Sequence, residues 1–143
     1  MSGPKPGQQM VKLKLIDEEN NSVSYLAYEE NKQKYFSTVE NEKDAAVFYK
    51  KPYKGADYYT TYPKKGKSGL RIDYHTGGGE VYGQQHESAA NSWELKDEYF
   101  VPRMTGGLSL KLCPSDSTYQ TCLFCSARLT PFKVTEIDLG TYK

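Results

Sequence analysis

Histidine occurs twice, cysteine three times and tryptophan once in these 143 residues, and each scarcity closes a class of chemistry. General acid-base and nucleophilic catalysis need a base poised near neutral pH, most often histidine, beside a nucleophile or a second titrating group. His75 and His86 are the whole supply. No G-x-S-x-G elbow, H-E-x-x-H pair or Walker-type phosphate loop accompanies them. The run His75-Thr76-Gly77-Gly78-Gly79 reads as a hairpin tip, since a phosphate loop would have to lead into a helix. The chain is therefore expected not to be an enzyme.

The cysteines, Cys113, Cys122 and Cys125, fall short of a closed zinc site, which takes four ligands. On an extended strand, positions 122 and 125 also point to opposite faces. The expectation is no metal and no cofactor, with Cys113 facing Cys122 across the hairpin LCPSDSTYQTC, free or bonded according to the redox compartment. Long apolar runs are missing as well, so nothing reaches the roughly twenty residues a membrane helix requires. The opening segment MSGPKPGQQM lacks the apolar stretch of a secretory signal. No membrane insertion is expected, and a cytoplasmic location, with secretion the alternative. Net charge is absent too: 19 basic and 18 acidic side chains leave +1, which provides no long-range attraction for nucleic acid.

What is abundant is aromatic. Thirteen tyrosines and five phenylalanines favour strands, and no window carries sustained helical periodicity. Period-two alternation marks VKLKLI at 11–16, GLRIDY at 69–74 and GLSLKL at 107–112. Turn formers separate these runs: DEENNS, EENKQ, PKKGKSG, HTGGGE, MTGG and PSDS.

The stretch NEKDAAVFYK at 41–50 returns 45 residues later as HESAANSWEL at 86–95, with Trp93 replacing Phe48. Such recurrence points to an internal repeat. Three units follow, led by Leu26, Leu70 and Leu108 and anchored 22, 23 and 24 residues later by Phe48, Trp93 and Phe132. Returning strands fall at Tyr35–Phe36, Val81–Tyr82 and Leu123–Phe124. Opening strands are VKLKLI, DYYTTY at 57–62 and EYFVPRM at 98–104. The fold expected is all-β: a β-trefoil of three pseudo-repeats and twelve strands, in one domain over 11–143. Its units span about 11–55, 56–97 and 98–143, behind a flexible segment 1–10. Closure would remove exposed sheet edges.

The order YL, YFS, A-A-x-F within YLAYEENKQKYFSTVENEKDAAVFYK resembles a β-trefoil repeat of the fascin and actin-crosslinking type. The resemblance covers about 23–50 and implies the fold, with a cytoskeletal partner such as actin as one expectation. Only spacing and aromatic anchors carry it through the other two units.

Trefoils bind through turns, which leaves the choice of ligand to the turn chemistry. Sugar recognition needs an aromatic face for the apolar side of a pyranose, plus amides, carboxylates or imidazoles for its hydroxyls. The second unit gathers these as Asp73, Tyr74, His75, Tyr82, Gln84, Gln85, His86 and Asn91, so the leading expectation is a lectin-like module for a glycan or glycoprotein. Ricin-type lectins carry Q-x-W on each anchor strand; here Asn91-Ser92-Trp93 alone approaches it. The H-P-x-G-G turn of mussel-type trefoil lectins is echoed weakly by His75 to Gly78. The alternative is protease inhibition through an extended loop, either 62–69 with Lys64, Lys65 and Lys67, or 101–105 around Arg103.

Overall fold

A computed structural model describes residues 3–30, 32–115 and 123–143. Its described residues form twelve strands: β1 (Gln9–Asp17), β2 (Ser22–Tyr28), β3 (Phe36–Val39), β4 (Phe48–Tyr53), β5 (Ala56–Thr61), β6 (Leu70–Tyr74), β7 (Val81–Gln84), β8 (Trp93–Lys96), β9 (Tyr99–Pro102), β10 (Lys111–Cys113), β11 (Phe124–Ser126) and β12 (Lys133–Thr141). Two single 3-10 turns, Glu42–Asp44 and Glu87–Ala89, are the helical content of the described residues. No helix among the described residues is long and apolar enough to cross a membrane.

Alternation explains the strands directly. In β1, Val11, Leu13 and Leu15 are fully buried while Lys12 and Lys14 stay partly exposed, the period of two that a pleated strand imposes. The strand begins at Gln9, two residues before the apolar pattern, because Gln9 pairs with Thr141 and the residues just before it are bonded to the C-terminal segment. Gly7 N–H donates to Tyr142 O and Tyr142 N–H to Gln8 O, each at 2.8 Å. At the strand's far end, Asp17 accepts from Asn20 through both the backbone N–H and the side-chain amide. This Asx turn, with Asn21 at φ 52°, reverses the chain into β2.

Six strands form a circuit: β1 pairs β4, β4 pairs β5, β5 pairs β8, β8 pairs β9, and β12 pairs β1. The remaining contact is a bond from Val134 N–H in β12 to Glu98 O beside β9, at 2.7 Å. The first-to-fourth strand contacts recur at near-constant separation, since Val11 meets Phe48, 37 residues on, and Asp57 meets Trp93, 36 on. Glu98 likewise meets Val134, 36 on. Val134 therefore holds the register position of Phe48 and Trp93, and Phe132 lies two residues ahead of it, buried but out of register. Two-residue hairpins join β4 to β5 and β8 to β9. Both central residues lie at positive φ, Lys54 and Gly55 in one, Asp97 and Glu98 in the other. That geometry suits the right-handed twist of the strands.

The other six strands make the hairpins β2–β3, β6–β7 and β10–β11. The middle hairpin is stitched to both neighbours. Gly83 N–H donates to Lys34 O, Val81 N–H to Leu123 O and Cys125 N–H to Gly79 O. Phe36, Val81 and Leu123 are buried beneath these seams, in one continuous core with Phe48, Trp93, Phe100 and Val134.

The recurring decapeptide forms the same local structure twice. Ala45 N–H closes one 3-10 turn on Glu42 O, and Ala90 N–H closes the other on Glu87 O, both at 3.1 Å. The small residues let the turn pack down before the buried aromatic begins the next strand. The third unit departs from expectation. GLSLKL is strand only from Lys111, and Leu108 is 61% exposed, whereas Leu110 and Leu112 are buried. Gly106 and Gly107 lie at positive φ in a turn that leaves Leu108 at the surface.

Candidate functional site

Of the eight residues singled out in the second unit, five line one cleft of about 500 Å3: Asp73, Tyr74, His75, Tyr82 and Asn91. The β6–β7 register sets Asp73 opposite Tyr82 and Tyr74 opposite Val81, and His75 follows at the start of the tip. His75 and Tyr82 stack with ring centroids 4.0 Å apart and planes 1° apart. His75 is exposed and Tyr82 half-buried, which leaves a flat aromatic surface at the rim. Gln84 braces it, donating from Nε2 to Tyr82 Oη at 2.8 Å and accepting at Oε1 from His86 N–H at 3.1 Å.

The polar floor is engaged in the fold itself. Asp73 Oδ1 accepts from Asn91 Nδ2 at 2.7 Å and from Tyr74 N–H at 2.8 Å. Asn91 Oδ1 accepts from Met104 N–H, and Tyr74 Oη donates to Met104 O, both at 2.8 Å. Together they fasten the loop after β9 onto the second hairpin. Burial raises the Asp73 carboxyl above its usual range, an effect opposed by the bonds from Asn91 and Tyr74. Burial also raises the Tyr82 phenol, with the Asp73 charge acting in the same direction. We expect Asp73→Ala to cost about 2 kcal/mol of stability, because a buried amide and a backbone N–H lose their acceptor; urea denaturation measures it.

Gln85 and His86 lie elsewhere. His86 is exposed and does not line this cleft, and Gln85 lines a second, larger one of about 960 Å3. That cleft runs between the segment Lys5–Gln9 and strands β4, β5 and β6. Residue types at a distance in sequence gave no hint of it. Sequence reasoning also missed Met104, Thr105, Leu108 and Leu110, which line the first cleft. An apolar signal was there in Met104 and Leu108, 55% and 61% exposed, but nothing local in sequence places them in one cleft with His75.

The two alternative loops are placed as follows. Lys64 pairs with Glu30, which raises its ammonium pKa, and its carbonyl accepts from Lys67 N–H in a turn. Lys65 and Lys67 are exposed. Arg103 is exposed, with its N–H donating to Ser92 O. Cys113 and Cys125 are buried free thiols, both raised by burial, Cys113 to about 11. Cys122 and the proposed pairing with Cys113 lie outside the described residues. Among the described residues no three His, Cys, Asp or Glu side chains converge as a metal site. No protein family, curated protein or solved structure matches this chain.

Proposed function

We propose that the chain is a β-trefoil acting as a non-enzymatic glycan-binding module through the cleft of its second hairpin. Three first-to-fourth strand contacts at separations of 37, 36 and 36 residues support the fold, as do a middle hairpin bonded to both of its neighbours and two matching 3-10 turns. One observation carries the function. The parallel His75–Tyr82 stack lines a cleft whose lining also includes the exposed apolar pair Met104 and Leu108. A pyranose needs such flat and apolar surfaces for its C–H face. Gln84 fixes Tyr82 in advance, so little ordering is left for binding to impose.

His75→Ala is the direct test, since His75 is exposed and the change leaves stability within about 0.5 kcal/mol. A glycan array should identify the ligand for the parent chain. Titration should then show His75→Ala weakened about tenfold, equivalent to about 1.4 kcal/mol of lost stacking. Equal binding by parent and variant, or no glycan held by the parent, would remove this reading.

A further inference from the structure

The larger cleft differs from the first in chemistry. It is lined by hydroxyl and amide side chains, among them Tyr58, Thr60, Tyr62 and Gln8, and its charges are unevenly matched. Lys50 is more than offset within the fold, facing two carboxylates, Glu136 at 3.0 Å and Asp57 at 3.7 Å. At the other end a single carboxylate, Glu87, faces Lys51 and Arg71, and Lys5 lines the same cleft. Three cations therefore meet one anion. Lys51, then Arg71 and Lys5, hold the Glu87 carboxyl below its usual range, as a local cationic excess requires.

Arg71 is the fixed element of this end. Its Nη1 donates to Gln85 O at 2.7 Å and Gly69 O at 3.3 Å, and its side chain is 15% exposed. The Nη2 atom stands 3.7 Å from Glu87, too long for a hydrogen bond. A guanidinium pinned on one edge and loosely paired on the other suits a planar carboxylate, which the fork of an arginine grips in two places. Tyr62 packs edge-on against Tyr49 at 5.4 Å, which holds its ring in place along the wall.

We propose that this cleft is a second binding site, taking an acidic saccharide whose ring carboxylate is held by Arg71, Lys51 and Lys5 and whose hydroxyls meet the tyrosine, threonine and glutamine groups. The choice of a sugar rests on the glycan-binding reading above; the carboxylate rests on the cleft's own charges. Two sites in one chain would let it hold two points of a single glycan, which strengthens attachment without new contacts.

Calorimetric titration of the full chain with digalacturonate, neutral galactobiose and sodium acetate tests the proposal, with amide chemical shifts locating each ligand. Digalacturonate should bind about tenfold more tightly than galactobiose, lose that margin at high salt, and shift the amides of Thr60, Arg71 and Gln85. Arg71→Gln should weaken it about tenfold. Because Arg71 also braces Gln85, Lys51→Ala provides a second variant at an exposed side chain, expected to weaken binding about threefold and reduce the salt dependence. In His75→Ala, digalacturonate should still shift the amides of Arg71 and Gln85. Equal affinity for galactobiose, shifts confined to the His75 cleft, no binding of digalacturonate, or acetate binding as tightly as the sugar acid would each overturn the assignment. If His75-dependent glycan binding fails while digalacturonate still shifts Arg71 and Gln85, the first reading falls and this one stands. The converse pattern separates them the other way.

Discussion

Replacing Trp93 by alanine is expected to lower the free energy of unfolding by about 4 kcal/mol, at the upper end of what core truncations cost. Trp93 is fully buried and serves three purposes at once. Its ring stacks on Phe100 with centroids 4.7 Å apart and planes 7° apart, and meets Tyr74 edge-on at 6.4 Å. Its Nε1–H donates to Ile72 O at 2.7 Å, tying the anchor strand to β6. Its backbone lies where β8 meets β5 opposite Asp57 and β9 opposite Pro102. Alanine would leave a cavity between three strands and a buried carbonyl without its donor. Trp93→Phe separates the two costs: the ring volume is largely kept, and about 1 kcal/mol should be lost through the Ile72 carbonyl. Urea denaturation followed by far-ultraviolet circular dichroism measures both variants, since the change removes the chain's tryptophan. A loss under about 1 kcal/mol for alanine would mean that the core relaxes around the gap, against the close packing assigned to it.

How far such roles could be read from sequence depends on whether their cause is local. The alternation of VKLKLI yields β1 because burial of every second residue is a property of the strand itself. The Ala-Ala pairs before Phe48 and Trp93 are legible for the same reason: each closes a 3-10 turn within four residues. The third unit has no such pair, and SARLTPF puts Phe132 two residues before the register position that Val134 occupies. Leu108 misleads in a related way. GLSLKL alternates, but a positive-φ glycine turn delays the strand and leaves Leu108 exposed at the border of the cleft. In the candidate site the sequence gathers residue types that can meet a sugar, five of which line one cleft. Yet Asp73 and Asn91, 18 residues apart, bond each other, and that follows from the approach of two strand ends, which composition does not encode. The larger cleft was invisible because it needs the opening segment, β4, β5 and β6 together.

Glu136→Ala is expected to cost about 3 kcal/mol, and the reason is what it leaves behind. Glu136 in β12 accepts from Tyr59 Oη at 2.7 Å and from Lys50 Nζ at 3.1 Å. Its side chain and that of Lys50 are 19% and 15% exposed. Deleting one partner of a mostly buried pair strands the other charge, which costs more than the pair itself contributes. Lys50 retains Asp57, at 3.7 Å, which keeps the loss below the full penalty.

The same cluster predicts an alkaline signature. Burial first, then the Glu136 charge and the hydrogen bond to it, raise the Tyr59 phenol far above 10.0. In the unfolded chain Tyr59 ionises near its ordinary value, while in the folded chain it stays protonated. Its contribution is thus fully present below about pH 10 and lost as pH rises above that value, at about 1.4 kcal/mol per pH unit. Other buried tyrosines act the same way, so the informative quantity is the difference between the parent and Tyr59→Phe. At pH 8 the parent should be more stable by about 1 kcal/mol, the worth of the phenol-carboxylate bond. Between pH 10 and 11 that advantage should vanish and then reverse, because phenylalanine has no proton to lose on unfolding. Guanidinium denaturation of both chains from pH 8 to 11 makes the comparison, and a gap that stays constant across the range would show that Tyr59 is not held protonated by the core and Glu136.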